Sequence, residues 1–593
     1  MKVPFFAKYS MEKHGMKTNL KENNTEFFFE SEDTVDIQIK NIPDENVELY
    51  KIIFDWNEKK TPKEIRLSFF NPCTDAYTHW DVKNHTPRFF AWHRDKSTES
   101  RLAKWMPITQ LAAKSGKNSY TVAISDVKTP TKIAVTYHLY NKKAETYIAF
   151  FTSPIEPISH YEVTIRIDKR NIPYDKAIIS ARDWYSEMGY KNDHIPEAAK
   201  DSVYSTWYAY LQDVKAKDVL KECKIAKKLG MDTVIVDDGW QNKEILRDYS
   251  NCGDWIPAKN RFPDMRKFSD EIHALGMKFM LWFSVPFIGW DAKNFKKFEG
   301  KYLHEVHGIK ANILDPRYPE VRRFLVDTYK KAVTEWNLDG LKLDFIDRFQ
   351  ANDIVNEEMD FHSVEDATES LLKEISTELR AINNDILIEF RQPYMGPVIT
   401  TYGNMIRVWD CPNDSFTNRI SITDLRLTAE KTVVHGDMIV WNNEDSNEGV
   451  AAQLYSSLFA VPQISVKLNK ISPEHKKVLS EFLKFRNAHK KTLMDGEFTA
   501  KGPEANYSYT ETVLNGERVS LSITTPVIKL REDITTDCFV NLSEETVVPV
   551  TGDKTDRKYE ITDCTGKILA RKKFRKNDAY VDIPYCGKIK IYK

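Results

Sequence analysis

The distribution of apolar and polar positions divides the chain into three stretches. Across residues 1–185 the two kinds of residue alternate with a period of two in short runs, among them Thr34-Val35-Asp36-Ile37-Gln38-Ile39, Ser119-Tyr120-Thr121-Val122-Ala123-Ile124 and Tyr161-Glu162-Val163-Thr164-Ile165-Arg166-Ile167. Alternation of this kind, broken by Asn, Asp, Gly and Pro, predicts an antiparallel β sandwich. Across residues 186–493 short apolar runs alternate instead with helical periods. Strands are predicted near 203–209, 233–236, 278–283, 340–344, 386–390, 405–409, 438–441 and 463–466, with helices that include 216–229, 319–336, 364–382 and 472–489. The first of these helices aligns Val219, Cys223, Ala226 and Leu229 on one face and stops at Gly230, which can adopt the left-handed cap. Eight β/α units in succession predict a (β/α)8 TIM barrel. Period-two runs return across 494–593, in Tyr507-Ser508-Tyr509-Thr510, Val519-Ser520-Leu521-Ser522-Ile523 and Ile589-Lys590-Ile591-Tyr592, and predict a C-terminal β sandwich. The expected fold is a multidomain α/β chain: a central barrel between an N-terminal β sandwich and a C-terminal antiparallel β domain.

A parallel barrel builds its site at the C-terminal ends of its strands. The run Gly340-Leu341-Lys342-Leu343-Asp344 ends in a carboxylate with a lysine two residues before it, and Thr233-Val234-Ile235-Val236 runs into Asp237-Asp238-Gly239-Trp240. Asp344 is the first catalytic candidate. The rim assembled from the predicted strand ends holds Trp207, Asp237, Asp238, Trp240, Trp282, Lys342, Asp344, Glu389, Arg391, Arg407, Trp409 and Asp410, with Asp414 a little further on. Acids in number, accompanied by Trp and Arg, suit glycoside hydrolysis, which needs one carboxyl group as nucleophile or base and another as proton donor.

Composition narrows the ligand more than the fold. The 593 residues include 86 Lys plus Arg and 87 Asp plus Glu, so no global field holds nucleic acid or an anionic membrane. A neutral ligand is expected. Aromatic residues at 12 % suit stacking on sugar faces and β-rich cores equally. Seven cysteines without a CxxC pair indicate neither a disulfide framework nor a zinc cluster, and a reducing compartment fits them. His304 and His307 lie three apart and could share a helix face, but nothing nearby completes a ligand set, so no metal and no cofactor are expected. No glycine-rich phosphate loop or G-x-S-x-G elbow occurs. The N-terminal stretch meets charge before it accumulates a signal-like apolar run, which leads to the expectation of a cytoplasmic location without a membrane span. A homo-oligomer remains open.

One series of motifs is more specific. Asp237-Asp238-Gly239-Trp240, Gly253-Asp254-Trp255 with Phe262-Pro263, Leu275-Gly276-Met277-Lys278-Phe279 leading to Leu281-Trp282-Phe283, Leu314-Asp315-Pro316 and Leu341-Lys342-Leu343-Asp344 follow one another in the order seen in glycoside hydrolase family 36. The chain resembles that family, the melibiase type of retaining α-galactosidases. The resemblance implies Asp344 as nucleophile with Lys342 beside it, Asp237 and Asp238 on galactose hydroxyls, and Trp240 lining the subsite. It implies a proton donor just after the sixth strand, where Asp410 is favoured over Asp414. Arg407, Trp207, Trp282 and Arg391 complete the expected substrate-binding set. Two segments depart from the family's pattern: Trp282-Phe283-Ser284-Val285-Pro286 after the third strand, and Glu389-Phe390-Arg391-Gln392-Pro393 after the fifth. The expected activity is removal of terminal α-galactose from an oligosaccharide or glycoconjugate. Alternatives are an α-galactosyl transglycosylase of the raffinose or stachyose synthase type, an α-N-acetylgalactosaminidase, and a non-catalytic carbohydrate-binding protein.

Overall fold

The structure is a computed structural model that describes residues 16–593 apart from 84, 87, 88, 90–96, 193, 246 and 353. The N-terminal stretch read for an export signal lies largely outside the described residues. Two compact units are present: Met1–Ala181 with Gln350–Ala367, and Arg182–Phe349 with Thr368–Lys593.

In the first unit the described residues form an antiparallel six-stranded sheet and an antiparallel seven-stranded sheet. The period-two pattern becomes burial directly: in Ile65–Asn71 every second side chain faces inward. Phe27, Ile65 and Ile148 from one sheet meet Tyr50, Phe54, Val122 and Val163 from the other in one buried core. The segment 350–367 joins this unit through the buried Arg101–Glu365 ion pair of 3.2 Å and the Lys128–Asp366 pair of 2.5 Å.

The second unit contains a closed barrel of eight parallel strands. They are β1 (Val203–Ser205), β2 (Thr233–Val236), β3 (Lys278–Ser284), β4 (Gly340–Asp344), β5 (Leu387–Arg391), β6 (Met405–Arg407), β7 (Val433–Ile439) and β8 (Val461–Ile464). Val203 pairs with Gln463 to close the ring. Helices follow the strands as α1 (Ala216–Leu229), α2 (Met265–Ala274), α3 (Pro319–Trp336), α4 (Val364–Ile382), α5 (Ser415–Thr428), α6 (Asn447–Ser456) and α7 (Pro473–Ala488). Gly230 ends α1 at φ 91°, and its backbone N–H donates back to the carbonyls of Ala226 and Lys227. Val203, Ile235, Met280, Leu387, Met405, Val433 and Val461 fill one layer of the barrel as a buried apolar cluster. The charged side chains that make the site stand on residues nearer the strands' C-terminal ends.

Three expectations shift. The seventh strand runs over Val433–Ile439 rather than 438–441. His435, Gly436 and Asp437 break its apolar pattern, yet all of them are buried, because the His435 ring bonds Ala199 O at 2.9 Å and Asp437 meets Arg407. The first strand stops at Ser205, and Trp207–Tyr210 forms a single helical turn. His304 and His307 do not share a helix face: His304 lies on the strand Tyr302–Val306 and His307 opens a 3-10 turn. That strand belongs to a three-stranded antiparallel sheet, Phe287–Gly289, Tyr302–Val306 and Ala311–Leu314, inserted between β3 and α3.

The C-terminal stretch forms a seven-stranded and a three-stranded sheet around Phe539, Ile561 and Ile589. It braces α5, since the Arg419 guanidinium donates to the carbonyls of Asn506 and Tyr507 at 2.9 and 3.0 Å.

Candidate active site

Strand β4 is buried along its whole length and delivers Asp344 to the barrel mouth, where the chain turns at once. The turn is made by Phe345 at φ 66°, a left-handed conformation that costs a residue with a side chain about 1–3 kcal/mol. It brings the Phe345 N–H to within 2.8 Å of Asp344 Oδ1 and lays the phenyl ring against Phe287, centroids 4.6 Å apart. Two side chains donate to the same carboxylate, Trp282 Nε1 to Oδ2 at 3.0 Å and Arg391 Nε to Oδ1 at 2.6 Å, while the Tyr394 hydroxyl, whose shorter bond goes to the Leu343 carbonyl at 2.8 Å, lies 3.3 Å from Oδ1. Burial by itself would raise the Asp344 carboxyl, but the Arg391 and Lys342 cations and the Trp282 bond outweigh it and hold the group well below the usual carboxylate range. Asp344 is therefore an anion throughout the physiological range, fixed in orientation.

The Arg391 guanidinium lies over the rings of Phe345 and Tyr394, 5.1 and 5.6 Å from their centroids, so its position is set from several sides. Removing it should act on Asp344 electrostatically. In an Arg391→Gln variant we expect any acidic limb of kcat/KM that reports Asp344 ionisation to move to higher pH, by about one to three units for loss of one adjacent cation. A pH–rate profile with an activated aryl glycoside measures this; an unmoved limb would mean that Asp344 is not the group that must be ionised.

Lys342, two residues earlier on β4, donates to Asp237 Oδ2 at 2.6 Å from the end of β2. Asp237 Oδ1 accepts the Asp238 N–H at 2.8 Å. The Asp238 carboxylate accepts from Gln212 and Gln241, both at 2.7 Å, and burial pushes its carboxyl up to about 6. Asp237 thus faces β4 through Lys342 while Asp238, next to it, is turned to two amides, so the geometry of both carboxylates at the end of β2 is fixed by a lysine and two glutamines. Trp240 stands elsewhere. Its indole is fully buried among Trp255, Phe283 and Trp336, and its N–H donates to Trp282 O at 2.9 Å, so it supports the residue that holds Asp344.

The opposite side of the mouth is organised by Arg407 at the end of β6. Its guanidinium donates to Asp410 Oδ1 at 2.9 Å and to Asp437 Oδ1, and lies 3.9 Å from Glu389. Glu389 is fully buried, bonded to Gln463 and pushed up to about 7 by that burial, and it pairs in register with Lys342, one layer inside the strand end that carries Asp344. Asp410 differs from it in exposure, with 54 % of its side chain open to solvent. Burial of the carboxyl end raises Asp410 and the nearby Asp344 charge raises it further, but Arg407, Lys342 and Arg391 prevail and hold it below the usual carboxylate range. Asp414 is not part of this cluster. It is the N-cap of α5, accepting from the Thr417 N–H at 3.0 Å and the Thr417 hydroxyl at 2.7 Å. Trp409 stands 40 % exposed beside Asp410, and Trp207 is half-buried on the turn after β1.

The structure thus brings Asp237, Asp238, Lys342, Asp344, Arg391, Arg407 and Asp410 to one end of the barrel, with Trp282 bonded into the group. Sequence reasoning passed over Gln212, Gln241, Tyr394 and Asp437. Asp437 carried the one available signal, an acid in a short run after α5, and the displaced strand prediction hid it. Among the described residues no group of three or more His, Cys, Asp or Glu is placed to hold a metal, and no helix is long and apolar enough to cross a membrane.

A closed eight-stranded parallel barrel with carboxylates at its mouth defines a (β/α)8 barrel protein with an acidic site at the C-terminal ends of its strands. Residues 190–389 match the Melibiase family model. The chain is 30 % identical over 159 residues to α-galactosidase Mel36A of Lactobacillus acidophilus, a match covering 26 % of this chain and 21 % of that one. It is 24 % identical over 204 residues to an A type blood α-D-galactosamine galactosaminidase of Flavonifractor plautii, covering 29 % and 18 %. These sequence matches span about a fifth of the relatives' lengths. The fold likeness extends further: the α-galactosidase AgaB of Geobacillus stearothermophilus, a family 36 structure, superposes with a TM-score of 0.64 at 14 % identity over 98 % of this chain and 84 % of that one. AgaA of the same organism, solved with raffinose, gives 0.62 at 13 % identity over 97 % and 84 %. Residues 190–389, the region that holds the motif series, therefore carry a melibiase domain, and over nearly its whole length the chain shares the fold of the family 36 α-galactosidase structures.

Proposed function

We propose that the protein is a retaining α-galactosidase that removes terminal α-linked galactose from an oligosaccharide or glycoconjugate through a covalent glycosyl-aspartate. The observation that carries the reading is the contrast between two carboxylates at one barrel mouth: Asp344 is buried, ionised and held by donors on both oxygens, whereas Asp410 is open to solvent on a single arginine. In the first step Asp344 attacks the anomeric carbon, the bond from that carbon to the aglycone oxygen breaks, and Asp410 gives its proton to the departing oxygen. In the second step water attacks the same carbon, Asp410 takes its proton, and the bond to Asp344 breaks.

The electrostatics supply the change of role. A docked aglycone covers Asp410 and removes it from water, which raises its affinity for a proton while Asp344 is still charged. Once Asp344 is esterified that charge is gone, Asp410 falls, and it becomes the base the second step needs. Asp237 and Asp238 are assigned to galactose hydroxyls, and the curated relatives named as α-galactosidases favour galactose as the sugar.

The test is hydrolysis of a panel of aryl α-glycosides with the released sugar followed by proton NMR. We expect α-galactose as the first-formed product from the galactoside and slower turnover of the other sugars. First appearance of β-galactose would show inversion and sink the covalent intermediate. A preference for the N-acetylgalactosaminide would move the specificity to the alternative sugar.

A further inference from the structure

Asp437 touches the loop that carries Asp410 on both sides of that residue. Its Oδ1 accepts from Arg407, the residue that in turn holds Asp410 Oδ1 at 2.9 Å. Its Oδ2 accepts the Cys411 N–H at 2.7 Å, one residue beyond Asp410, and the Tyr208 hydroxyl at 3.0 Å. Asp437 is itself fixed by Asn418 of α5, whose side-chain oxygen accepts the Asp437 N–H at 3.0 Å and whose amide donates to the Asp437 carbonyl at 3.3 Å. A fully buried carboxylate on β7 thereby joins the end of β6, the loop after it, the turn after β1 and the helix α5. Without it Arg407 would have only Asp410 and the more distant Glu389 as anionic partners.

We propose that Asp437 is the positioning residue of the proton donor: it shares Arg407 with Asp410 and pins the Cys411 backbone, so that the donor carboxyl is held at the mouth and is not captured by the arginine. The inference rests on Asp410 being the donor. The charged groups that act on Asp410 are Arg407, Lys342 and Arg391, which lower it, and Asp344, which raises it; Asp437 and the Tyr208 phenol also couple to it. Neutralising Asp437 removes a like charge and gives Asp410 a larger share of Arg407. Both effects make the donor a weaker base, so the alkaline limb of activity, which requires it protonated, moves to lower pH.

The experiment compares Asp437→Asn, Tyr208→Phe and Asp410→Ala with the parent enzyme on an aryl α-galactoside with an acidic phenol and on an α-linked galactose disaccharide. For Asp437→Asn we expect kcat/KM on the disaccharide to fall about 10- to 100-fold, a fraction of what a general acid contributes, with a much smaller loss on the aryl substrate. The alkaline limb should move down by about half a unit to one unit. Tyr208→Phe, which removes one donor from Asp437 at a half-buried position and should keep the fold, is expected to show the same pattern at a few-fold size. Equal losses on both substrates with an unmoved limb, in whichever of the two variants folds, would overturn the proposal while a leaving-group dependence in Asp410→Ala still supported the donor assignment. Absence of that dependence in Asp410→Ala overturns both.

Discussion

Asp344→Asn will lower turnover of every α-galactoside by on the order of 10^5- to 10^6-fold, the size of effect seen when an enzyme loses its nucleophile. The amide cannot form the glycosyl bond, yet it occupies the same volume, and its single oxygen keeps either the Phe345 N–H bond or the Trp282 bond, which in Asp344 fall on different oxygens. The fold should survive, because the Lys342 ammonium keeps its own partner in Asp237 and the Arg391 guanidinium keeps its contact with the Gln392 carbonyl and its seat over two aromatic rings. Circular dichroism and thermal melting check that directly. The informative companion is Asp344→Gly, which opens space on the face from which Asp344 attacks. Azide entering that space should restore part of the cleavage of an activated aryl galactoside and yield β-galactosyl azide, the inverted product. Wild-type turnover in a preparation free of host enzyme would exclude Asp344. Loss of activity without azide rescue, together with a lowered melting temperature, would make it a structural anion for Arg391.

The ease with which Asp344 was found in the sequence, and the difficulty of finding Asp437, have the same physical origin. A parallel barrel strand is buried on both faces and therefore reads as an apolar run. Where such a run stops at an acid, as at Val236-Asp237 and Leu343-Asp344, the boundary marks the barrel mouth without further information. In β7 the acid that meets Arg407 lies inside the strand, behind His435 and Gly436, and nothing local reveals that an arginine thirty residues earlier satisfies it. Gln212, Gln241 and Tyr394 were invisible for a related reason. They are loop residues whose partners, Asp238 and Asp344, are set by closure of the barrel rather than by sequence spacing. Trp240 shows the reverse situation. A motif marks its position, but the indole turns into the packing behind Trp282, and only the assembled aromatic cluster shows that it supports the site from below. Domain-scale architecture was the most legible layer, since period-two and helical patterns are repeated over many residues and survive single exceptions such as the inserted three-stranded sheet after β3.

The choice between Asp410 and Asp414 as proton donor, open in the sequence, now has a physical argument and a decisive experiment. Asp414 spends both carboxylate oxygens on Thr417 at the start of α5, so its replacement by alanine should remove a helix cap, costing about 0.5–2 kcal/mol of stability. That loss is blind to the leaving group: Asp414→Ala should melt earlier and reduce turnover of an activated aryl galactoside and of a disaccharide by similar, small factors. Asp410 has one strong partner, Arg407, and an exposed side chain, so its carboxyl is free to reach the oxygen of a departing aglycone. Asp410→Ala should leave melting little changed, cost little with a phenol acidic enough to leave unprotonated, and cost about 10^2- to 10^4-fold with a disaccharide, whose alkoxide cannot leave without a proton. A plot of log kcat/KM against leaving-group pKa should therefore steepen in Asp410→Ala and stay parallel to the parent line in Asp414→Ala. If the steep line belongs to Asp414→Ala, the two roles are exchanged, and the Arg407–Asp410 pair is a structural ion pair at the edge of the site.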